Sequence, residues 1–241
     1  MLNNVRVVLV RTYHPGNIGS AARAMKTMGL TNLVLVNPLD FPSDEATKMA
    51  ASADDVIKNA TICGSVYEAV KDCSMVIAST ARSRAYDLPE LSPEESAKQL
   101  LLSAKNKKVA LIFGPERMGL SNEDLQFAKY RVTIPTSPEY SSLNLAAAVQ
   151  TLSYEVFKQY SANVASNQVE SEREQPSIEQ MEQYFIRLEE TLQDSGFIIK
   201  NHPGQIMQKL RSLFSRAQLD EVELNILHGI LASYQRQKNK G

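Results

Sequence analysis

Four short runs of β-branched and aliphatic residues limit the fold of this chain more than any other feature. They are V-R-V-V-L-V (Val5–Val10), L-V-L-V (33–36), S-M-V-I-A-S (74–79) and V-A-L-I-F (109–113). Runs this dense read as strands covered on both faces. The first ends in R-T-Y-H-P-G-N-I-G-S and then a helix-forming stretch over 21–28, which opens at Asn17, Ile18 or Ser20 and stops at Gly29. Further helix starts follow. They are residues 43–50, the capping-box pattern Ser65-x-x-Glu68, Ser92-Pro93-Glu94-Glu95 with a helix to about Leu102, and Ser121-Asn122-Glu123-Asp124. Strand alternating with helix predicts an α/β fold with a mostly parallel sheet and helices on both faces.

Residues 131–134 return to the sheet. The stretch V-T-I-P-T-S-P-E-Y-S-S-L-N-L-A-A-A-V from Val132 then passes through two prolines into a small-residue helix reaching Tyr160. Ser141 and Ser142 are its candidate caps. Composition changes over 161–177, which holds few residues that could be buried and reads as a linker. Residues 178–241 carry three apolar stripes at helical spacing: Met181, Phe185, Leu188 and Leu192; Ile206, Leu210, Leu213 and Phe214; and Leu224, Leu227, Ile230, Leu231 and Tyr234. The expected organisation is one α/β domain over 1–160, the linker, and a small all-α extension.

Composition narrows the function classes. A formal net charge of -1 implies no strong bulk attraction to nucleic acid and leaves local basic patches open. Two cysteines, Cys63 and Cys73, and no metal-ligand cluster fit a reducing compartment without a metal site. No run approaches a transmembrane span, and M-L-N-N-V-R-V-V-L-V lacks signal-peptide character, so a cytoplasmic protein is expected.

Chemistry is expected where loops leave the carboxyl ends of parallel strands, because those ends share one edge. Three such loops stand out: 11–23 with His14, Asn17 and Arg23; 114–120, G-P-E-R-M-G-L; and 132–149. The segment from Ser79 to Arg84 can join them. None is a G-x-G-x-x-G or Walker loop. Gly114 suits a close backbone approach to a ligand. Glu116 and Arg117 form either a local ion pair or part of the site. His14 is either a base or a loop hydrogen-bonder. Arg23 is either a surface arginine or a clamp for phosphate or a developing oxyanion. In the tail, residues 197–217 hold Lys200, His202, Lys209, Arg211 and Arg216 and no acid. That is a solvated helix face or a phosphate-contacting patch.

Together these loops resemble the knotted SPOUT methyltransferase superfamily, in its 2′-O-ribose branch. Asn17-Ile18-Gly19-Ser20-Ala21-Ala22-Arg23 resembles the first motif of the branch. Phe113-Gly114-Pro115-Glu116-Arg117-Met118-Gly119-Leu120 resembles the second. Ile134-Pro135 with Ser141-Ser142-Leu143-Asn144-Leu145-Ala146 resembles the third. M-K-T-M-G-L-T-N-L from Met25, S-P-E-Y-S-S-L-N-L from Ser137 and N-H-P-G-Q from Asn201 are similar to the tRNA (cytidine/uridine-32)-2′-O-methyltransferases of that branch.

The resemblance implies a SPOUT-type parallel sheet with a deep trefoil knot over 109–149, which ordinary connection rules would not suggest. It implies S-adenosyl-L-methionine held by Ser79, Thr80, Ala81, Gly114, Ile134, Ser141, Ser142 and Leu143. It also implies a homodimer whose active sites draw on both subunits, with Arg23 supplied by the partner as the catalytic group and Ser142 and Asn144 placing the ribose or the loop. Glu116 is expected to fix its loop. tRNA is expected along Arg11, His14, Asn17, Arg82, Arg84 and Arg117, extended onto Lys209, Arg211 and Arg216. No metal or membrane is required. Ribosomal RNA on the same fold, a non-enzymatic RNA-binding module and a dinucleotide oxidoreductase are the competing readings. The missing glycine fingerprint argues against the last.

Overall fold

Along the first strand, Val5, Val7 and Leu9 point into one core and Val8 and Val10 into another, and all five are fully buried. A strand with both faces covered needs layers above and below, and the sheet has them. The computed structural model describes residues 1–81, 87–165, 175–198 and 205–238. Seven strands form one sheet: β1 (Val5–Val10), β2 (Asn32–Val36), β3 (Thr61–Cys63), β4 (Cys73–Ser79), β5 (Glu90–Leu91), β6 (Lys108–Phe113) and β7 (Tyr130–Val132). Their order is β3-β2-β1-β6-β4-β7-β5, and every pairing is parallel.

One face is covered by α1 (Pro15–Thr27), α5 (Pro93–Ser103) and α7 (Leu145–Ala165), with α1 and α5 both packed on α7. The shorter α2 (Asp44–Ala50) and α3 (Asp54–Lys58) pack on α1. The other core takes Val66, Ala69 and Val70 from α4 (Val66–Val70) and Leu125 from α6 (Asn122–Leu125). Each large aliphatic side chain buried this way stabilises the fold by roughly 1.5–3 kcal/mol.

Most expected elements form, with shifted ends. α1 begins at Pro15, earlier than its alanine run indicated, because proline at the first helical position needs no N–H acceptor. The capping boxes at Ser92/Glu95 and Ser121/Asp124 are complete. At α4 only half the box forms, since Ser65 accepts the Glu68 N–H while the Glu68 carboxylate accepts from Gly64 N instead. The last strand stops at Val132, short of the expected Ile134. α7 starts at Leu145 rather than near Ser142. Its cap is Asn144, whose Oδ1 accepts from Ala146 N and Ala147 N. It runs through Ala165, past the expected end at Tyr160, and residues 166–174 of the expected linker lie outside the described residues.

The tail comprises α8 (Ile178–Asp194), α9 (Ile206–Ala217) and α10 (Glu221–Lys238) around a core of Met181, Tyr184, Phe185, Leu188, Leu224 and Leu231. Ile206, Leu213, Ile230 and Tyr234, expected inside, are exposed, and Met207 is buried instead. The tail is joined to the α/β unit. Ile178 enters the second core, Glu179 N donates to Lys71 O at 2.7 Å, and Lys107 pairs with Glu221 at 2.5 Å. Ser212 Oγ donates to Asp87 O at 2.8 Å and Ser215 Oγ to Lys129 O at 3.1 Å.

Candidate functional site

The sheet register brings three loops to one place. Ser79 lies opposite Phe113 on one side and Val132 on the other, so β4, β6 and β7 end level with one another. Thr80, Gly114 and Thr133 therefore leave the sheet side by side. Thr80 N donates to Val132 O at 3.1 Å, and Thr133 Oγ1 donates to Thr80 O at 3.2 Å. Above them opens a cleft of about 130 Å³. Its walls include Ser79, Thr80, Ala81, Gly114, Ile134, Ser141, Ser142 and Leu143, the full set expected to hold a cofactor. Phe113 and Leu145, named only as motif members, and Thr136 and Ala148, within the third loop, add mostly apolar wall without having been expected at the cofactor. Their signal was their position, one or two residues from an expected site residue for Phe113, Thr136 and Leu145, and one helical turn beyond Asn144 for Ala148.

Gly114 is needed for the shape of the loop. A Cβ there would meet Leu120 N at 2.3 Å and the Gly119 carbonyl carbon at 2.5 Å. The close approach that requires glycine is thus made by the loop to itself rather than by a ligand.

Glu116 ties this loop to the start of α1. Its carboxylate accepts from Tyr13 N at 2.9 Å, His14 N at 3.1 Å and Asn17 Nδ2 at 2.8 Å. Burial raises its pKa, but these donors outweigh burial and hold the carboxyl below its ordinary value. The charge also sits at the positive end of the α1 dipole. Asn17 Oδ1 in turn accepts from Asn144 Nδ2 at 2.9 Å. One chain of hydrogen bonds thus joins all three motif loops.

The remaining expected residues fall into separate groups. His14 is the N-cap residue of α1 without a side-chain capping bond, and its ring meets Tyr13 edge-on. Arg117 lines the cleft with its guanidinium 4.8 Å from the Tyr13 ring centroid. Arg11 turns away into a two-pronged ion pair with Asp124, at φ 49. Arg23 is exposed on α1 and does not line the cleft of its own chain. Lys209 and Arg216 are exposed on α9, with Arg216 donating to Ser212 Oγ at 2.8 Å. Arg211 is held by Glu182 and lies 4.4 Å over the Phe185 ring. Arg82 and Arg84, with most of the N-H-P-G-Q segment, lie outside the described residues.

Among the described residues no helix is long and apolar enough to cross a membrane, and no group of three or more His, Cys, Asp or Glu is placed to hold a metal ion.

A parallel sheet with motif loops gathered at its carboxyl edge defines a class, and the comparisons agree with it. Residues 4–154 match the SpoU rRNA Methylase family, and the chain belongs to that family of methyltransferases. Residues 179–241 match the C-terminal domain of the tRNA methyltransferase TrmJ. Over 243 residues the chain is 53% identical to the tRNA (cytidine/uridine-2′-O-)-methyltransferase TrmJ of Escherichia coli (strain K12), covering 100% of this chain and 98% of that protein. The crystal structure of TrmJ from Z. mobilis ZM4 superposes with a TM-score of 0.82 at 34% identity, covering 95% of this chain and 98% of that one. A probable methylase family protein from Haemophilus influenzae Rd KW20 matches at 42% identity with a TM-score of 0.66, covering 99% of both chains.

Proposed function

We propose that this chain is an S-adenosyl-L-methionine-dependent methyltransferase that modifies the ribose 2′-hydroxyl of cytidine or uridine at position 32 of the tRNA anticodon loop. The observation that carries this reading is the coincidence of both structural units with one kind of relative. The α/β unit carries the three-loop cleft, and the tail matches the domain that TrmJ adds to it.

The cleft suits the methyl donor. Phe113, Ile134, Leu143, Leu145 and Ala148 offer apolar surface for a base, beside the polar edges of Ser79, Thr80, Ser141 and Ser142. When bound, the donor supplies an electrophilic methyl group.

This chain's residues then have a positioning and electrostatic task. Asn144 and Asn17, anchored on Glu116, keep the 133–144 loop in place over the cleft. Ser142, which lines the cleft, orients the ribose. Arg23 stabilises the hydroxyl as it loses its proton, or holds the neighbouring phosphate. A guanidinium with a pKa of about 12 or higher is a poor general base. Arg23 reaches a cleft from the partner in a homodimer with composite sites. Its exposed place on α1, and the exposed Tyr154 and Phe157 on the adjoining α7, support that arrangement.

We further infer that the connection over 109–149 is tied as a trefoil knot, that 1–160 and 178–241 act as methyltransferase and substrate-binding units, and that the protein works in the cytoplasm with its tRNA. Arg117, Lys209 and Arg216 are exposed cations suited to phosphate contact, Arg216 lying 3.9 Å from the Asp87 carboxylate. Arg82 and Arg84 complete the surface, with His14 and Asn17 at its centre. Arg11 and Arg211 serve from within their ion pairs.

Labelled methyl donor offered with unmodified tRNA and, separately, with ribosomal RNA tests the reading. The expected result is label in tRNA alone, recovered as a ribose-methylated nucleoside. Label in ribosomal RNA alone would move the function to the competing reading.

A further inference from the structure

Tyr13 lies in the connection between β1 and α1 and is 46% exposed. Three contacts fix it. Its main-chain N–H donates to Glu116 Oε2 at 2.9 Å. The His14 ring meets its ring edge-on, with 5.1 Å between centroids and 72° between planes. The Arg117 guanidinium lies 4.8 Å from its ring centroid. Arg117 both lines the cleft of the three motif loops and is exposed, so it stands at the rim. We propose that Tyr13 is a positioning residue, whose ring holds the Arg117 guanidinium at the cleft rim to take a backbone phosphate of the RNA beside the target ribose. This rests on the tRNA 2′-O-methyltransferase reading and names a residue that sets how the substrate is gripped.

The partner of an arginine decides what the arginine can still do. Arg11 donates to both oxygens of Asp124, and Arg211 to both oxygens of Glu182. A carboxylate neutralises the charge and occupies the N–H fork that would otherwise meet a phosphate. An aromatic ring does neither. It attracts the cation through its quadrupole and leaves the charge and the donors in place. Glu116, the acid next to Arg117 in sequence, accepts from Tyr13 N, His14 N and Asn17 Nδ2. The acid thus braces the main chain of 13–14, and the ring braces the arginine. An arginine already held on a ring loses less rotamer freedom when its ligand arrives.

The ligand class follows from the chemistry of the substrate. A ribose 2′-hydroxyl within an RNA strand has a phosphodiester on the neighbouring carbon. A ribose brought to this cleft therefore brings an anion to its rim. Contacts of that kind fix the register and orientation of the strand.

Tyr13 is tied to Glu116 through its main chain, so its side chain can be changed without cutting that bond. Tyr13→Leu and Tyr13→Phe, assayed in the full chain with unmodified tRNA and methyl donor, test the assignment. Tyr13→Leu is expected to raise KM for tRNA about three- to tenfold, with kcat and the calorimetric affinity for the donor unchanged. Tyr13→Phe, which keeps a ring for the cation, is expected to match the unaltered chain. In an Arg117→Gln background Tyr13→Leu should add nothing, since no guanidinium remains for the ring to hold. Arg117→Gln should also lower the salt slope of tRNA binding by about one. An unchanged KM in Tyr13→Leu, an equal loss in Tyr13→Phe, an undiminished loss in the Arg117→Gln background, or an unchanged salt slope would overturn the inference and leave the methyl-transfer reading standing. A fall in donor affinity with Tyr13→Leu would set Arg117 on the carboxylate of the donor and overturn it as well. No methylation of tRNA by the unaltered chain would overturn the methyl-transfer reading and this inference with it.

Discussion

At the scale of single residues, groups proposed to act on substrate are distinct from groups that hold the frame. Arg23 is of the first kind. Arg23→Ala is expected to lower the methyl-transfer rate by about a hundredfold or more, as for other lost oxyanion donors. Methyl-donor affinity, measured by calorimetry, should stay unchanged, since Arg23 does not line the cleft of its own chain. A comparable loss of donor affinity would place Arg23 elsewhere. Asp72 is of the second kind. Burial raises its pKa, but hydrogen bonds from Arg6 and Lys108 reverse this and hold the carboxyl at about 2. A carboxyl lowered on folding contributes stability that is present above its unfolded value and is lost as pH falls through the folded one. Urea unfolding followed from about pH 4 down to about pH 2 should therefore show a decline that Asp72→Asn removes. Partial exposure of the pair limits its size.

At the scale of elements, the test falls on the start of α7. Asn144 caps the helix through Oδ1 and holds Asn17 through Nδ2. Asn144→Ala should cost about 1 kcal/mol in urea unfolding, and it should also weaken methyl-donor binding. Asn144→Asp keeps the acceptor for the helix and loses the donor to Asn17. It should retain stability while still weakening the donor, and unchanged donor affinity would remove Asn144 from the site. Legibility in the sequence follows the same division between local and distant causes. Ser92 and Ser121 could be read as caps because their partners lie three residues away. Asn144 could not be told from Ser141 and Ser142, since the choice depends on Asn17 across the fold. β3 and β5, three and two residues long, are held by their neighbours rather than by periodicity. The cofactor loops were legible because parallel strands end on one edge. The knot and the methyl donor came from resemblance to a family, since no periodicity encodes either.

At the scale of the whole molecule, the proposed function joins two chains into one working site. Arg23→Ala and Ser142→Trp, each inactive as a homodimer, should regain activity when mixed and allowed to exchange subunits. In the heterodimer, the cleft of the Arg23→Ala chain is intact and receives Arg23 from the other chain. Were Arg23 to act within its own chain, every cleft in the mixture would carry a defect and no activity would return. The tail belongs to this scale too, since Ser212 and Ser215 fasten α9 to Asp87 and Lys129, the approaches to β5 and β7. The measurement that bears most directly on the whole account is to map the methyl group on an unmodified tRNA transcript after incubation with the full chain and labelled methyl donor. The account predicts a single 2′-O-methyl group, on cytidine or uridine at position 32. A folded, donor-binding sample that leaves tRNA unmodified, or that methylates a base or another ribose, would contradict it.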